Sequence, residues 1–223
     1  MLVSERRNFF RLLLATCLLT AGCAQLKQCA YAGINRDEWQ QPEKVIASLN
    51  LQPGDVVADL GSGGGYFTFR LAEAVGPTGK VYAVDIDRDM VDLIARRATE
   101  EGRRNIEVIL AKPEDPSLPK ASFDIVFTSN TYHHIKNRVA YFANLRQCLR
   151  PDGRVAIVEF DRRGWLEGLL RHYTPSEFIS REMEQAGYKL QHEFDFLDRQ
   201  SFLIFVPIVS RGKDVLTVRR DSI

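Results

Sequence analysis

Two rhythms of apolar residues alternate along this chain. Short, nearly unbroken apolar runs at 56–60, 81–84, 106–110, 123–128 and 154–159 are bounded by turn residues and have the length of buried strands. Between them, over 67–75, 88–101 and 139–149, apolar residues recur every three or four positions, the spacing of helices that bury one face. Strand and helix repeated in this way require a parallel sheet covered on both faces. The rhythm breaks near the end. Runs at 188–196 and 201–207 are strand-like with only a few residues between them, too few for a crossover helix, so they must pair as an antiparallel hairpin. The expected fold is α/β: a doubly wound, seven-stranded sheet, parallel except for one reversed strand in the C-terminal hairpin.

Upstream, 36–49 carries Trp39, Val45, Ile46 and Leu49 at helical spacing, with Pro42 acceptable only near a helix start. Gln52-Pro53-Gly54-Asp55, the segment 76–79 and Arg150-Pro151-Asp152-Gly153 read as turns. The chain therefore divides into a leader-like segment (1–23), a linker (24–35), one domain (36–207) and a polar tail (208–223). In the leader, Arg6-Arg7 precede Phe9-Phe10, a mostly apolar run over 12–22, and Cys23. The paired arginines resemble a twin-arginine export signal, and Leu19-Thr20-Ala21-Gly22-Cys23 resembles a lipobox, with Thr20 departing from its usual Leu or Val. Membrane anchoring or a periplasmic location follows if this signal functions, and a cytoplasmic location if it does not. The apolar run itself is shorter than the roughly 20 residues that cross a bilayer.

Composition narrows the function. The net charge of +1 lacks the basic excess of a nucleic-acid binder. Cys17, Cys23 and Cys29 lie in or near the leader, no pair of cysteines has CxxC spacing, and no zinc site is expected. Cys148, in a helix-like run, reads as a small buried hydrophobe.

The chemistry gathers where strands end. Asp59-Leu60-Gly61-Ser62-Gly63-Gly64-Gly65-Tyr66 follows the first strand and opens a helix, the crevice where open α/β sheets bind ligands. Glycines there let backbone turn sharply and approach a ligand without a Cβ in the way. A dinucleotide loop would need glycine at the sixth position from Gly61, which is Tyr66. Val84-Asp85-Ile86-Asp87 ends the second strand. Asp85 lies 20 residues past Gly65, the interval at which an acid grips ribose hydroxyls in related nucleotide folds, while Asp87 suits a helix cap better. Met90 is placed to reach an adenine face or to pack in the core.

These motifs, with Ser122-Phe123-Asp124-Ile125-Val126 and Leu149-Arg150-Pro151-Asp152-Gly153-Arg154, resemble successive motifs of class I S-adenosylmethionine-dependent methyltransferases. The small-molecule branch that includes ubiquinone/menaquinone-biosynthesis C-methyltransferases is the most similar in flavour. The resemblance implies a Rossmann-like fold, S-adenosylmethionine as cofactor, a small-molecule acceptor and no resident metal. Carried over by position, it implies that Asp59, Gly61, Ser62, Gly63, Gly65 and Tyr66 surround the methionine part, with Asp85 on the ribose. Ile86 and Met90 would flank the adenine. The adenine amino group needs an acceptor; Lys112 cannot serve, leaving Glu114 or Asp115. The loop Ser129-Asn130-Thr131-Tyr132-His133-His134 would face the transferable methyl. Asn130 then touches the cofactor, and Tyr132, His133 and His134 line the acceptor side, because the fourth strand lies beside the first and its loop overhangs the glycine turn. Either histidine suits a general base or a packing role. This loop lacks the acid-or-Asn, Pro-Pro, aromatic pattern of enzymes that methylate exocyclic amino groups, which, like the net charge, argues against a nucleic-acid base as acceptor. Lids are expected from the helix around Trp39 and from the stretch 161–173. The competing reading is an exported or anchored ligand-binding module that keeps the fold, but the intact Asp59, Gly61, Gly63, Gly65 and Asp85 favour an enzyme.

Overall fold

The computed structural model describes residues 35–161 and 173–208. The leader-like segment, nearly all of the linker, the tail beyond Ile208 and most of the expected 161–173 lid lie outside the described residues. In chain order come α1 (Arg36–Gln40), α2 (Pro42–Ser48), β1 (Val56–Leu60), α3 (Thr68–Val75), β2 (Lys80–Asp85), α4 (Arg88–Glu100) and β3 (Ile106–Leu110). β4 (Phe123–Ser129), a 3₁₀ turn (Tyr132–His134), α5 (Arg138–Leu145), β5 (Leu149–Phe160), α6 (Ser176–Gln185), β6 (Tyr188–Phe194) and β7 (Gln200–Pro207) follow.

The seven strands form one sheet in the order β3-β2-β1-β4-β5-β7-β6. β1 through β5 pair in parallel, and β7 runs antiparallel to both β5 and β6. One reversed strand is the expected architecture. The chain reverses direction across the sheet at β1, where the path to β3 departs to one side and β4 begins the other; the carboxyl ends of β1 and β4 therefore flank an open crevice. Alternate residues of each strand feed different cores. Ala58 and Leu60 of β1 join Val126, Phe142, Ile179 and Phe205 on one face. Val57 packs on the other with Leu71, Val75, Ile125 and Phe127.

Three local differences from the sequence pattern have physical causes. The expected helix over 36–49 is two helices, because Gln41 takes a left-handed conformation (φ 44°) and Pro42 starts α2 at its first turn, where a missing N–H costs nothing. The turn chemistry of Arg150-Pro151-Asp152-Gly153 is absorbed into a long β5, whose register against β4 shifts between Phe123 and Ile125. A Cβ on Gly153 would lie 2.7 Å from the Phe123 carbonyl, so the strand passes there only as glycine. Helix α6 is an element that the apolar spacing had not marked. Cys148 is buried as expected, its thiol turned toward the Leu118 carbonyl. No helix among the described residues is long and apolar enough to cross a membrane.

Candidate active site

A cavity of about 770 Å³ opens over the carboxyl ends of the parallel strands. Each strand contributes in sheet order: Ala111 and Pro113 after β3, Asp85 and Ile86 from β2, Gly61 to Gly64 after β1, Ser129 to Thr131 and the two histidines after β4, and Phe160 from β5. Arg36 and Trp39 of α1 complete the lining.

The glycine loop is built by its neighbours. Gly61 has φ 75°, and a Cβ there would lie 2.1 Å from Thr131 Oγ1. The β4 loop thus sits directly on the glycine turn, as the topology requires, and only glycine leaves room for it. Gly65 (φ 84°) faces the other way; its Cβ would meet the Phe69 ring at 2.8 Å, so it serves the close packing of α3 and α4 beneath the loop. Asp85 braces the turn from β2, accepting hydrogen bonds from the Gly63 N–H (2.8 Å) and from the Asp87 N–H (2.9 Å). Asp87 caps α4 through the Asp89 N–H, as the sequence implied.

At the opposite end, His133 Nδ1 lies 2.9 Å from Glu159 Oε1, and Glu159 is wholly buried at the end of β5. The two atoms share one hydrogen bond. Glu159 also accepts from the backbone N–H groups of His133 (3.2 Å) and Phe160 (2.8 Å). The His134 ring lies 4.0 Å from that of His133. Trp39 and Phe160 face each other with ring centroids 5.6 Å apart and form an aromatic wall. Helix α1 is pinned over this end by Gln40 Nε2, which donates to Ser129 Oγ (2.8 Å).

A family model described as "Methyltransferase domain" matches residues 51–196, which hold the glycine loop, Asp85, the two histidines and Glu159. The chain belongs to the methyltransferase domain family. Nocamycin O-methyltransferase of Saccharothrix syringae is 38% identical over 65% of this chain and 53% of its own length. A ubiquinone/menaquinone biosynthesis C-methyltransferase of Burkholderia vietnamiensis is 32% identical over 52% of this chain and 48% of its own. The chain thus spans about half the length of these curated relatives. Among solved structures, a SAM-dependent methyltransferase from Aquifex aeolicus superposes with a TM-score of 0.73 at 24% identity, covering 78% of this chain and 93% of that one.

Within this methyltransferase frame the expected site residues separate. Gly61, Ser62, Gly63, Asp85, Ile86, Asn130, His133 and His134 line the cavity. Six residues expected at the cofactor do not. Asp59 lies beneath the loop, 2% exposed, and accepts from the Thr68 hydroxyl (2.6 Å). Gly65 packs on Phe69. Tyr66 turns outward, its ring between the guanidinium groups of Arg36 (3.7 Å) and Arg70 (4.4 Å), its hydroxyl donating to Asp37. Met90 is fully buried in α4 and serves the core. Glu114 and Asp115 lie on an exposed turn closed by Lys112–Asp115 backbone hydrogen bonds, and neither is among the residues that line the cavity. Tyr132, expected beside the acceptor, is also corrected. It is buried, stacks on Phe142 at 5.3 Å and donates to Glu182 Oε2 (2.7 Å), which Arg138 grips with two nitrogens. Burial raises the Tyr132 phenol well above its ordinary value, and the Glu182 carboxylate adds to the rise.

Sequence reasoning missed Arg36, Phe160 and Glu159. Glu159 did leave a signal: it is the lone acid closing an apolar strand at the carboxyl edge of the sheet. Arg36 is buried enough that desolvation pulls its guanidinium down to about 10, so it stays charged at neutral pH.

The cavity fits S-adenosylmethionine. Asp85 presents a carboxylate where a ribose diol would need one, and its two oxygens keep lone pairs beyond the two backbone donors. Ser62 Oγ, beside the glycine turn, is buried with no hydrogen-bond partner, a group that a polar ligand would satisfy. Ile86 is 61% exposed and lines the cavity with Pro113, an apolar surface for a base. Among the described residues no cluster of His, Cys, Asp and Glu suits a metal ion.

Proposed function

We propose that this protein is an S-adenosylmethionine-dependent methyltransferase that acts on a small-molecule acceptor by in-line transfer. The observation that carries the reading is Asp85, set in the cavity at the end of β2 and tied to the glycine turn that follows β1. When bound, S-adenosylmethionine supplies a methyl group already activated by a sulfonium. Asp85 then grips the ribose, Ile86 and Pro113 flank the base, and the Gly61–Gly64 backbone receives the amino-acid end. That arrangement fills the β3-β2-β1 side and leaves the β4-β5 side, with His133, His134, Trp39 and Phe160, for the acceptor. The chain's own task is to hold the acceptor in line at near-attack distance and keep water out. Trp39 and Phe160 supply apolar surface for both. The named activities of the relatives, O-methylation in one and C-methylation in another, support a small organic acceptor.

The test uses the full chain, methyl-labelled S-adenosylmethionine and fractionated extract of the host. Label should pass into the small-molecule fraction. Label confined to protein or nucleic acid would contradict the proposal.

A further inference from the structure

We propose that the Ser129 hydroxyl, its proton turned away from α1 by an Arg36–Gln40 relay, is a donor that binds the carboxylate of the cofactor's amino-acid end. The inference deepens the methyltransferase reading of the same cavity and rests on it.

The need for such a donor comes from the glycine turn. A carboxylate brings only acceptors, so N–H or O–H groups have to meet it. The turn has few to give. The Gly61 and Ser62 N–H groups both donate to the Val84 carbonyl (2.8 and 3.1 Å). The Gly63 N–H donates to Asp85 (2.8 Å), and that of Gly65 to the Ser62 carbonyl (2.9 Å). Among the described residues, only Gly64 of this turn keeps an N–H without an acceptor. The turn can offer carbonyl oxygens to an ammonium group, but a carboxylate has to find most of its donors elsewhere.

The register of the sheet brings two hydroxyls to that place. Thr128 of β4 pairs with Leu60 of β1, so the next residue, Ser129, stands at the level of Gly61. Ser129 and Ser62 both line the cavity. Ser62 is 7% exposed, and its Oγ is buried without a hydrogen-bond partner. A buried polar group left unpaired beside a cavity marks where a polar ligand belongs. It is an observation independent of Ser129, and both serines sit at the amino-acid end rather than the base end.

The direction of the Ser129 proton can be read from its neighbours. A guanidinium has donors and no acceptor, so the Arg36 Nε–H has to meet the oxygen of the Gln40 amide, as it does. That fixes the amide, and its Nε2 is the end that donates to Ser129 Oγ (2.8 Å). Gln40 is wholly buried, which leaves the amide no water to turn to. The serine oxygen therefore accepts from Gln40, and its own hydrogen points away from it; among the described residues none accepts that hydrogen. Each link polarises the next, so a cation at one end strengthens the O–H donor at the other. A donor strengthened in this way suits an anionic oxygen, to which hydrogen bonds are the stronger kind. Ser129 makes the contact, and Gln40 is a positioning residue.

The test compares two ligands by calorimetry on the full chain: S-adenosylhomocysteine, and its decarboxylated analogue, which keeps the ammonium, ribose and base. Wild type should bind S-adenosylhomocysteine about tenfold or more the tighter. Ser129→Ala should lose about tenfold for S-adenosylhomocysteine and stay within about twofold for the analogue. Gln40→Met leaves the hydroxyl free to rotate and should cost S-adenosylhomocysteine about threefold, again sparing the analogue. In the Ser129→Ala background Gln40→Met should cost nothing further, because the two act through one hydrogen bond. Loss of both ligands alike would mean that the cluster only holds α1 in place, and would overturn the proposal. Unchanged affinity in Ser129→Ala, or a wild type indifferent to the carboxylate, would overturn it as well. If Gln40→Met does not fold, Ser129→Ala decides, since it removes a single oxygen at a strand end. A folded wild type that binds neither ligand would instead sink the underlying methyltransferase reading.

Discussion

Beneath the glycine loop, burial pushes the Asp59 carboxyl up to about 7, against the opposing pull of Thr68 and Arg36 and with some help from Asp85. At low pH the folded and unfolded chains both hold this proton. Between the ordinary carboxylate range and about 7 only the folded chain does, so its stability falls as pH rises through that window and levels off above it. Asp59→Asn should remove this slope: the variant should gain on wild type between pH 5 and pH 8, by about 2–3 kcal/mol, in chemical denaturation at each pH. Asp85 has a different task, because its oxygens face the cavity. Asp85→Ala should weaken S-adenosylhomocysteine binding by about 1.5–3 kcal/mol, the range for a hydrogen bond to a charged group. Asp87→Ala should leave binding nearly intact and cost about 1 kcal/mol of stability through the lost cap. Calorimetry on both variants checks the pair, and equal losses of affinity would mean the ribose acid is misassigned. Asp85 and Asp87 could be told apart in the sequence because one ends a strand and the other precedes a helix. Asp59 and Glu159 could not be placed so well. Which way a strand-end acid points depends on the register of its neighbours, and a single strand's pattern does not contain that register.

Elements were more legible than side chains, for a reason visible at Gly61. Strand, loop and helix follow from local pattern, and β1 and β3 fall within the residues expected. What presses on Gly61, however, is Thr131, brought there by the pairing of β1 with β4. Gly61→Ala should therefore destabilise by about 1–3 kcal/mol through overpacking and a further ~1 kcal/mol through its positive φ. Thr131→Gly on that background should recover the first part and not the second, a coupling that a double-mutant cycle measures. The same dependence on distant partners explains Tyr132. In sequence it neighbours two cavity histidines; in space its turn sends it into the core, where α5 and α6 complete the Tyr132–Glu182–Arg138 cluster. Tyr132→Phe should cost about 1–2 kcal/mol in thermal or chemical unfolding and leave S-adenosylhomocysteine affinity unchanged. A large loss of affinity without loss of stability would return Tyr132 to the cavity. The split of the first helix at Gln41 has a similar origin: Gln41 Nε2 donates to the Phe196 carbonyl, a contact 155 residues away that holds α1 over the site.

At the scale of the whole molecule, a sheet reversing at β1 brings the glycine turn, Asp85 and the His133 loop to one cavity, and that convergence is the basis for a cofactor on one side and an acceptor on the other. The strand order follows from short right-handed connections and was open to sequence reasoning. The acceptor end was less so, because Trp39, His133 and Phe160 come from three separate stretches of chain. The most direct test of the account is a calorimetric titration of the full chain with S-adenosylhomocysteine, run beside a thermal melt at the same ligand concentrations. The account predicts one site per chain and a melting temperature that climbs with ligand, by about 2.7 kcal/mol of added stability at a hundred times the dissociation constant. A folded chain that gives no heat and no shift in melting temperature at millimolar ligand would contradict it.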